Sequence, residues 1–94
     1  MIEQTRPAGE ETPEVRLRRV RMRSWRRGTR EMDLVLGGFA DGALASLGPA
    51  ELDAFEALLS ENDHDIYQWI AGRVEAPSGH RDMVNRVRAF RHLD

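Results

Sequence analysis

The chain has 94 residues, no cysteine and a formal net charge of −2. This length suits one domain with a single modest core, and the lack of cysteine excludes disulfides and thiolate metal sites. The charge is segregated: residues 1–30 carry nine arginines and four acids, residues 31–75 ten acids and one arginine, and residues 76–94 four arginines and two acids. This distribution predicts either basic segments folded against the acidic middle or a basic face turned to a partner.

The first residues are rich in Glu, Thr, Pro and Gly and contain almost nothing apolar. We therefore expect a disordered tail over residues 1–13 and a single helical domain over residues 14–94. No apolar run approaches the roughly 20 residues that cross a bilayer. Residues 1–14 also lack the apolar region of a signal peptide and the acid-poor composition of a transit peptide. We expect a protein of the bacterial cytoplasm that does not insert into a membrane.

A first helix is predicted from Glu14, with Leu17, Val20 and Ser24 on one face. The short alternating apolar runs of this stretch would also suit a strand. Helix is preferred because arginine favours helices and no other segment supplies a strand partner.

A second helix is predicted over residues 29–40, where apolar residues recur at helical spacing. Its adjacent glycines, Gly37 and Gly38, predict either close packing or an early end, since each costs about 1 kcal/mol relative to alanine. We expect a stop at Asp41 and Gly42, with Gly42 in the left-handed conformation that often follows a helix. Residues 43–47 are predicted to form a connection.

Three further helices are predicted in the second half of the chain. Gly48 and Pro49 mark the start of one, and Asn62 or Asp63 caps the next, which Gly72 closes. Residues 74–79 are predicted to form a loop, and residues 80–92 the last helix. The side chains expected to face the core from these helices are Leu52, Phe55, Leu58, Leu59, Ile66, Tyr67, Trp69, Ile70, Met83, Val84, Val87 and Phe90.

The junction between the first two helices combines arginines, a glycine and an acid. Gly28 can end or re-aim a helix, and Glu31 in the first turn of the next helix can reach back to a free backbone N–H, as in a capping box. Alternatively, free N–H groups, the guanidinium groups of Arg23, Arg26 and Arg27, and the Glu31 carboxylate present a polar surface to a partner. Spacing alone does not choose between these interpretations.

The run from Arg26 to Leu34 resembles the signature of the SdhE-type flavinylation factors, which assist assembly of succinate dehydrogenase. The hallmark of that family, Arg-Gly-x-x-Glu, is matched by Arg27, Gly28 and Glu31. Two further blocks agree in order, residues 47–52 with the apolar residues that follow them and residues 65–69. The resemblance spans residues 16–90, which is most of the chain.

The resemblance implies an all-α fold, a compact bundle of about five short helices. It also implies an assembly factor that binds the flavoprotein subunit of succinate dehydrogenase, or of fumarate reductase, and promotes covalent attachment of FAD to that subunit. The partner-binding face would comprise Arg27, Gly28 and Glu31, flanked by Arg23 and Arg26. We expect a monomer that holds no cofactor tightly, no metal and no nucleic acid, and that has no catalytic residue of its own.

Other classes of function fit the residues less well. An arginine-rich first helix would suit a small DNA-binding regulator, but DNA readers usually carry a domain-wide basic excess, and this chain has an isoelectric point of about 5.9. A helical antitoxin-like inhibitor is a third possibility. Asp63, His64 and Asp65 are adjacent, so they are expected to serve as caps and solvated charges rather than as metal ligands. His80 and His92 are expected to be surface residues without an acid partner.

Overall fold

The computed structural model describes residues 11–92. It contains five α-helices and a short 3-10 helix, and within this range there is no β-strand. The predicted all-α bundle of five helices is therefore confirmed. The α-helices are α1 (Pro13–Trp25), α2 (Arg30–Ala43), α3 (Pro49–Leu59), α4 (Asp63–Ile70) and α5 (Ser78–His92), and the 3-10 helix (Leu44–Ser46) follows α2.

None of the helices in the described range has both the length and the apolar character needed to cross a bilayer.

Helix α1 begins slightly earlier than the sequence suggested. Thr12 is its N-cap and accepts a hydrogen bond from the backbone N–H of Val15 at 3.2 Å, and Pro13 occupies the first helical turn. Both residue types are favoured at these positions. The last residues of the predicted tail thus belong to the start of the helix, whereas residues 1–10 lie outside the described part of the chain.

A single core joins all five helices. Phe39 of α2 lies at its centre, with its ring centre 5.3 Å from that of Phe55 and 5.6 Å from that of Phe90. Every core-facing side chain predicted from the last three helices is buried or partly buried. The fully buried side chains of this core include Leu36, Leu44, Phe55, Leu58, Leu59, Ile66, Val20 and Val87.

Glycines let two pairs of elements approach closely. A Cβ on Gly37 would lie 2.2 Å from the indole of Trp25, so the predicted close packing is confirmed. The predicted stop at Asp41 and Gly42 is wrong, because α2 continues to Ala43. Gly42 is not left-handed. A Cβ there would lie 2.5 Å from the Phe90 ring, so Gly42 is needed for packing against α5 rather than for a turn.

The starts of α3 and α4 and the end of α4 follow the predicted capping residues, whereas α5 begins at Ser78, inside the predicted loop over residues 74–79. Gly48 is the N-cap of α3, and its N–H donates to the Glu51 carboxylate at 2.9 Å. The Asn62 side chain caps α4 by accepting from the N–H of His64 at 2.8 Å. Gly72 follows α4 with a φ of 80°, a conformation that glycine adopts without strain.

The expectation for His80 is wrong. Its Nε2 lies 2.8 Å from a carboxylate oxygen of Glu61, and its ring stacks on Trp69 with 5.7 Å between ring centres. Only 15% of the His80 side chain is exposed. The start of α5, which lies two residues before His80, is thereby fixed against the turn between α3 and α4. The side chain of His92 lies outside the described part of the structure.

Candidate functional site

The connection between α1 and α2 leaves Gly28 exposed in a left-handed conformation. Its φ is 99°, and a Cβ built on it would meet nothing within 4 Å. A side chain at this φ would strain the backbone. Glycine is therefore required by the backbone conformation, and the space beside it is open to another molecule.

Asp33, rather than Glu31 as predicted, reaches back to a free backbone N–H at this junction. Thr29 caps α2 by accepting from the N–H of Met32 at 3.2 Å, and Asp33 reaches back to accept from the N–H of Arg27 at 2.7 Å. Glu31 lies in the first turn, as predicted, but it does not reach back. Its carboxylate instead accepts a hydrogen bond from the Tyr67 hydroxyl at 3.1 Å and remains exposed.

Arg27 is turned towards the chain. Its Nη2 donates to the backbone oxygen of Leu59 and to Asp63 Oδ1, each at 2.7 Å, and its Nε also donates to Asp63 at 3.0 Å. Only 10% of the Arg27 side chain is exposed. Because Nε and Nη2 already donate within the chain, Nη1 is the nitrogen of Arg27 that can donate to a partner.

Helix α4 supports both charged residues of the Arg-Gly-x-x-Glu motif. Asp63 contacts Arg27, and Tyr67 contacts Glu31. Asp63 and Tyr67 are four residues apart on α4 and therefore lie on one face of that helix. The motif is thus held along one side of α4, with Gly28 between the two contacts.

Arg23 and Arg26 lie on the other side of the junction. Together with Arg27, Arg19 and Met22 they line a depression of about 350 Å³. Arg26 is exposed, and no carboxylate of residues 11–92 pairs with it.

Glu31 borders a different depression, of about 270 Å³, with the exposed side chain of Leu34. The structure therefore brings the three predicted arginines together and places Glu31 on the adjoining surface.

Much of the basic face of α1 folds against α3. Glu56 accepts from Arg16 at 2.8 Å and from Arg19 at 2.7 Å, and Asp53 accepts from Arg16 at 2.7 Å. The bond from Arg19, with a further one from Arg16, holds the pKa of the Glu56 carboxyl below its usual value, although burial opposes this. Arg23 also lies 3.4 Å from Glu56. For these arginines, the prediction that basic segments fold against the acidic middle of the chain is confirmed.

Three residues that shape the site were missed from the sequence, namely Asp33, Asp63 and Tyr67. Asp63 was expected to be a cap or a solvated charge, but it pairs with Arg27. A signal was present, because the spacing of Asp63 and Tyr67 equals that of Arg27 and Glu31. It could be recognised only once α4 was known to contact the junction between α1 and α2.

Comparisons of the sequence with known proteins identify its family. The sequence model of the Sdh5 family, described as flavinator of succinate dehydrogenase, matches residues 18–91. The "FAD assembly factor SdhE" of Legionella pneumophila is 36% identical over 63 residues, covering 67% of this chain and 80% of that protein.

Fungal relatives are longer than this chain. The mitochondrial "Succinate dehydrogenase assembly factor 2" of Mycosarcoma maydis is 41% identical over 68 residues, covering 72% of this chain and 29% of that protein. The protein of the same name from Candida glabrata is 51% identical over 47 residues, covering 50% and 31%. The chain thus spans less than a third of either fungal protein. Since the family model covers most of the chain, including the motif, the chain belongs to the Sdh5 family.

Proposed function

We propose that this protein is an assembly factor that binds the flavoprotein subunit of succinate dehydrogenase and promotes covalent attachment of FAD to it. The supporting observation is the exposed Gly28 and Glu31 surface, which lies within the region matched by the family model. Helix α4 holds Glu31 and Arg27 in place, so the surface is organised before a partner arrives. Preorganisation of this kind lowers the ordering cost of binding.

The proposed contacts follow from the geometry of each residue. Gly28 lets the partner's backbone approach closely, because it has no side chain. No atom of the described chain lies within 4 Å of the point where its Cβ would be. Glu31 presents a carboxylate to a polar or basic group of the partner. The Nη1 edge of Arg27, with Arg23 and Arg26 as flanking cations, binds carboxylate or FAD oxygens.

The factor acts by binding rather than by catalysis. Covalent attachment would join a histidine nitrogen of the flavoprotein to the flavin methyl carbon, with one proton lost from each and two electrons and two protons taken up by the flavin ring. The partner would therefore carry every reacting group. The factor holds the domains of the partner so that these groups meet in reactive geometry, which is a proximity effect. It holds no FAD tightly itself, acts as a monomer and works in the bacterial cytoplasm, and fumarate reductase is a second possible client.

A charge-removing substitution at Glu31 tests the proposal. In a host that lacks its own factor, covalent flavin fluorescence of the flavoprotein subunit in a denaturing gel measures the activity. Glu31→Gln keeps an oxygen that can accept from Tyr67 but loses the charge, and we expect at least a tenfold loss of fluorescence. Glu75→Gln makes the same charge change at a side chain that is 78% exposed, and it should retain full activity.

A second variant separates internal support from partner contact. Tyr67→Phe removes the hydrogen bond to Glu31 but leaves the carboxylate exposed, and it should keep more than half of the fluorescence. If Tyr67→Phe lost as much covalent flavin fluorescence as Glu31→Gln, the activity would depend on the hydrogen bond between Glu31 and α4 and not on a contact of Glu31 with the partner. Failure of the unaltered protein to restore covalent flavin would refute the function itself.

A further inference from the structure

A second charged depression lies beside the motif, between α4 and α5. It has a volume of about 430 Å³ and a mainly polar lining, to which Tyr67, Arg88 and Arg91 contribute. The guanidinium of Arg73 lies 5.7 Å from the centre of the Tyr67 ring. Two arginines of α5 thus line the depression together with Tyr67, and a third arginine lies over the ring of that tyrosine.

The cations of this depression differ from Arg16, Arg19, Arg21 and Arg23 of α1, which have acid partners, and from their neighbours on α5. Arg81 pairs with Glu75 and Arg86 with Glu51. No carboxylate of residues 11–92 lies within 4 Å of Arg73, Arg88 or Arg91. Within the described range, these three therefore lack the acid partners that Arg81 and Arg86 possess.

The ends of α4 and α5 account for only part of this charge. A helix C-terminus carries roughly half a negative charge and stabilises cations in the last turn. Two such ends offset about one of the three positive charges, and the Glu31 carboxylate, which meets the Tyr67 hydroxyl, partly offsets another. At least one positive charge of the described residues therefore remains. Arg88 and Arg91 are also three residues apart on one helix, where like charges repel each other. An anionic ligand would relieve that repulsion.

The depression adjoins the proposed partner-binding face. The Tyr67 hydroxyl donates to Glu31 at 3.1 Å. Arg91 also borders the smaller depression that Glu31 lines. A partner seated on Gly28 and Glu31 would therefore extend onto Arg91 and Arg88 without a break in the surface.

From this arrangement we infer that Arg73, Arg88 and Arg91 form a second contact surface, which binds an acidic, carboxylate-bearing segment of the flavoprotein client. Guanidinium forks match the geometry of carboxylates. The depression is open and polar, whereas sites that enclose a small ligand such as a free dinucleotide are concave and mostly apolar. The inference rests on the proposed function, because it takes the same client as partner.

Binding of the client to charge-neutralised variants tests this surface. Arg88→Gln/Arg91→Gln should raise the Kd for the purified flavoprotein subunit about tenfold at low salt, and the difference should shrink at high salt, because salt screens such contacts. Arg81→Gln/Arg86→Gln removes the same charge from the same helix at arginines that already have acid partners, and it should change the Kd less than twofold. Arg88→Lys/Arg91→Lys, which keeps both charges, should retain the salt dependence and so excludes a folding defect.

The outcomes separate this inference from the proposed function. Equal Kd values for the two glutamine pairs would overturn the second surface while leaving the function intact, provided that Glu31→Gln still weakens binding. Loss of FAD binding to the factor alone in Arg88→Gln/Arg91→Gln, measured by equilibrium dialysis, would assign the depression to the dinucleotide and also overturn the inference. An unaltered protein that does not bind the flavoprotein subunit would refute both proposals.

Discussion

Replacing Arg27 by alanine tests whether the arginine of the motif also stabilises the fold. The substitution removes one hydrogen bond to the Leu59 backbone and two to Asp63, at 2.7 to 3.0 Å. Hydrogen bonds to charged groups contribute about 1.5–3 kcal/mol, but they are not additive within one site. The Asp63 side chain is 27% exposed, so water can partly solvate its carboxylate once Arg27 is removed. We expect Arg27→Ala to lower the free energy of unfolding by about 2–3 kcal/mol.

Urea denaturation followed by far-UV circular dichroism measures this change, which corresponds to a fall in Tm of roughly 10–20 °C for a domain of this size. Arg26→Ala is the matched control, because Arg26 is the adjacent arginine and is exposed. Surface substitutions of that kind usually change stability by less than about 0.5 kcal/mol.

A double-mutant cycle with Asp63 identifies the partner of Arg27. Asp63→Ala should cost less than Arg27→Ala, because Arg27 keeps its bond to the Leu59 backbone. The two substitutions together should destabilise by about 1 kcal/mol less than the sum of the single effects. The reasoning is refuted if Arg27→Ala is no more harmful than Arg26→Ala, or if the two effects simply add.

Two further changes test packing and charge. Gly37→Ala should destabilise the fold by about 1–3 kcal/mol, because the new Cβ would lie 2.2 Å from the Trp25 ring, whereas Gly38→Ala meets nothing within 4 Å and should stabilise it by up to about 1 kcal/mol. Equal melting temperatures for these two variants would contradict the packing of Trp25 on α2. Glu56 has a folded-state pKa below its ordinary value of 4.5, so its contribution to stability is present above about pH 4.5 and is lost as the pH falls through the folded-state pKa. Glu56→Gln should therefore be less stable than the unaltered protein at neutral pH, with a gap that narrows in acid, and a gap independent of pH would exclude this carboxylate as the cause.

Local sequence signals located most of the helices because those signals act over a few residues. Pro49 and Asn62 were recognised at helix starts, and both are used there. One exception was Gly42, which was predicted to end a helix but lies inside α2. The ring of Phe90, a residue far away along the chain, packs directly on Gly42, so the need for glycine at this position could not be inferred from its sequence neighbours.

In the candidate site, too, one part of the arrangement was predictable from the sequence and another part was not. The sequence by itself determined that Arg27, Gly28 and Glu31 lie at a junction between two helices, since glycine interrupts one periodic pattern and the next begins after it. Only the tertiary structure decided which of their atoms face outward. Arg27 turns inward because Asp63 and the Leu59 carbonyl meet it, whereas Glu31 shares a bond with Tyr67 and stays exposed. Those partners lie more than 30 residues away along the chain, and only the packing of α4 and of the end of α3 against the junction brings them within bonding distance.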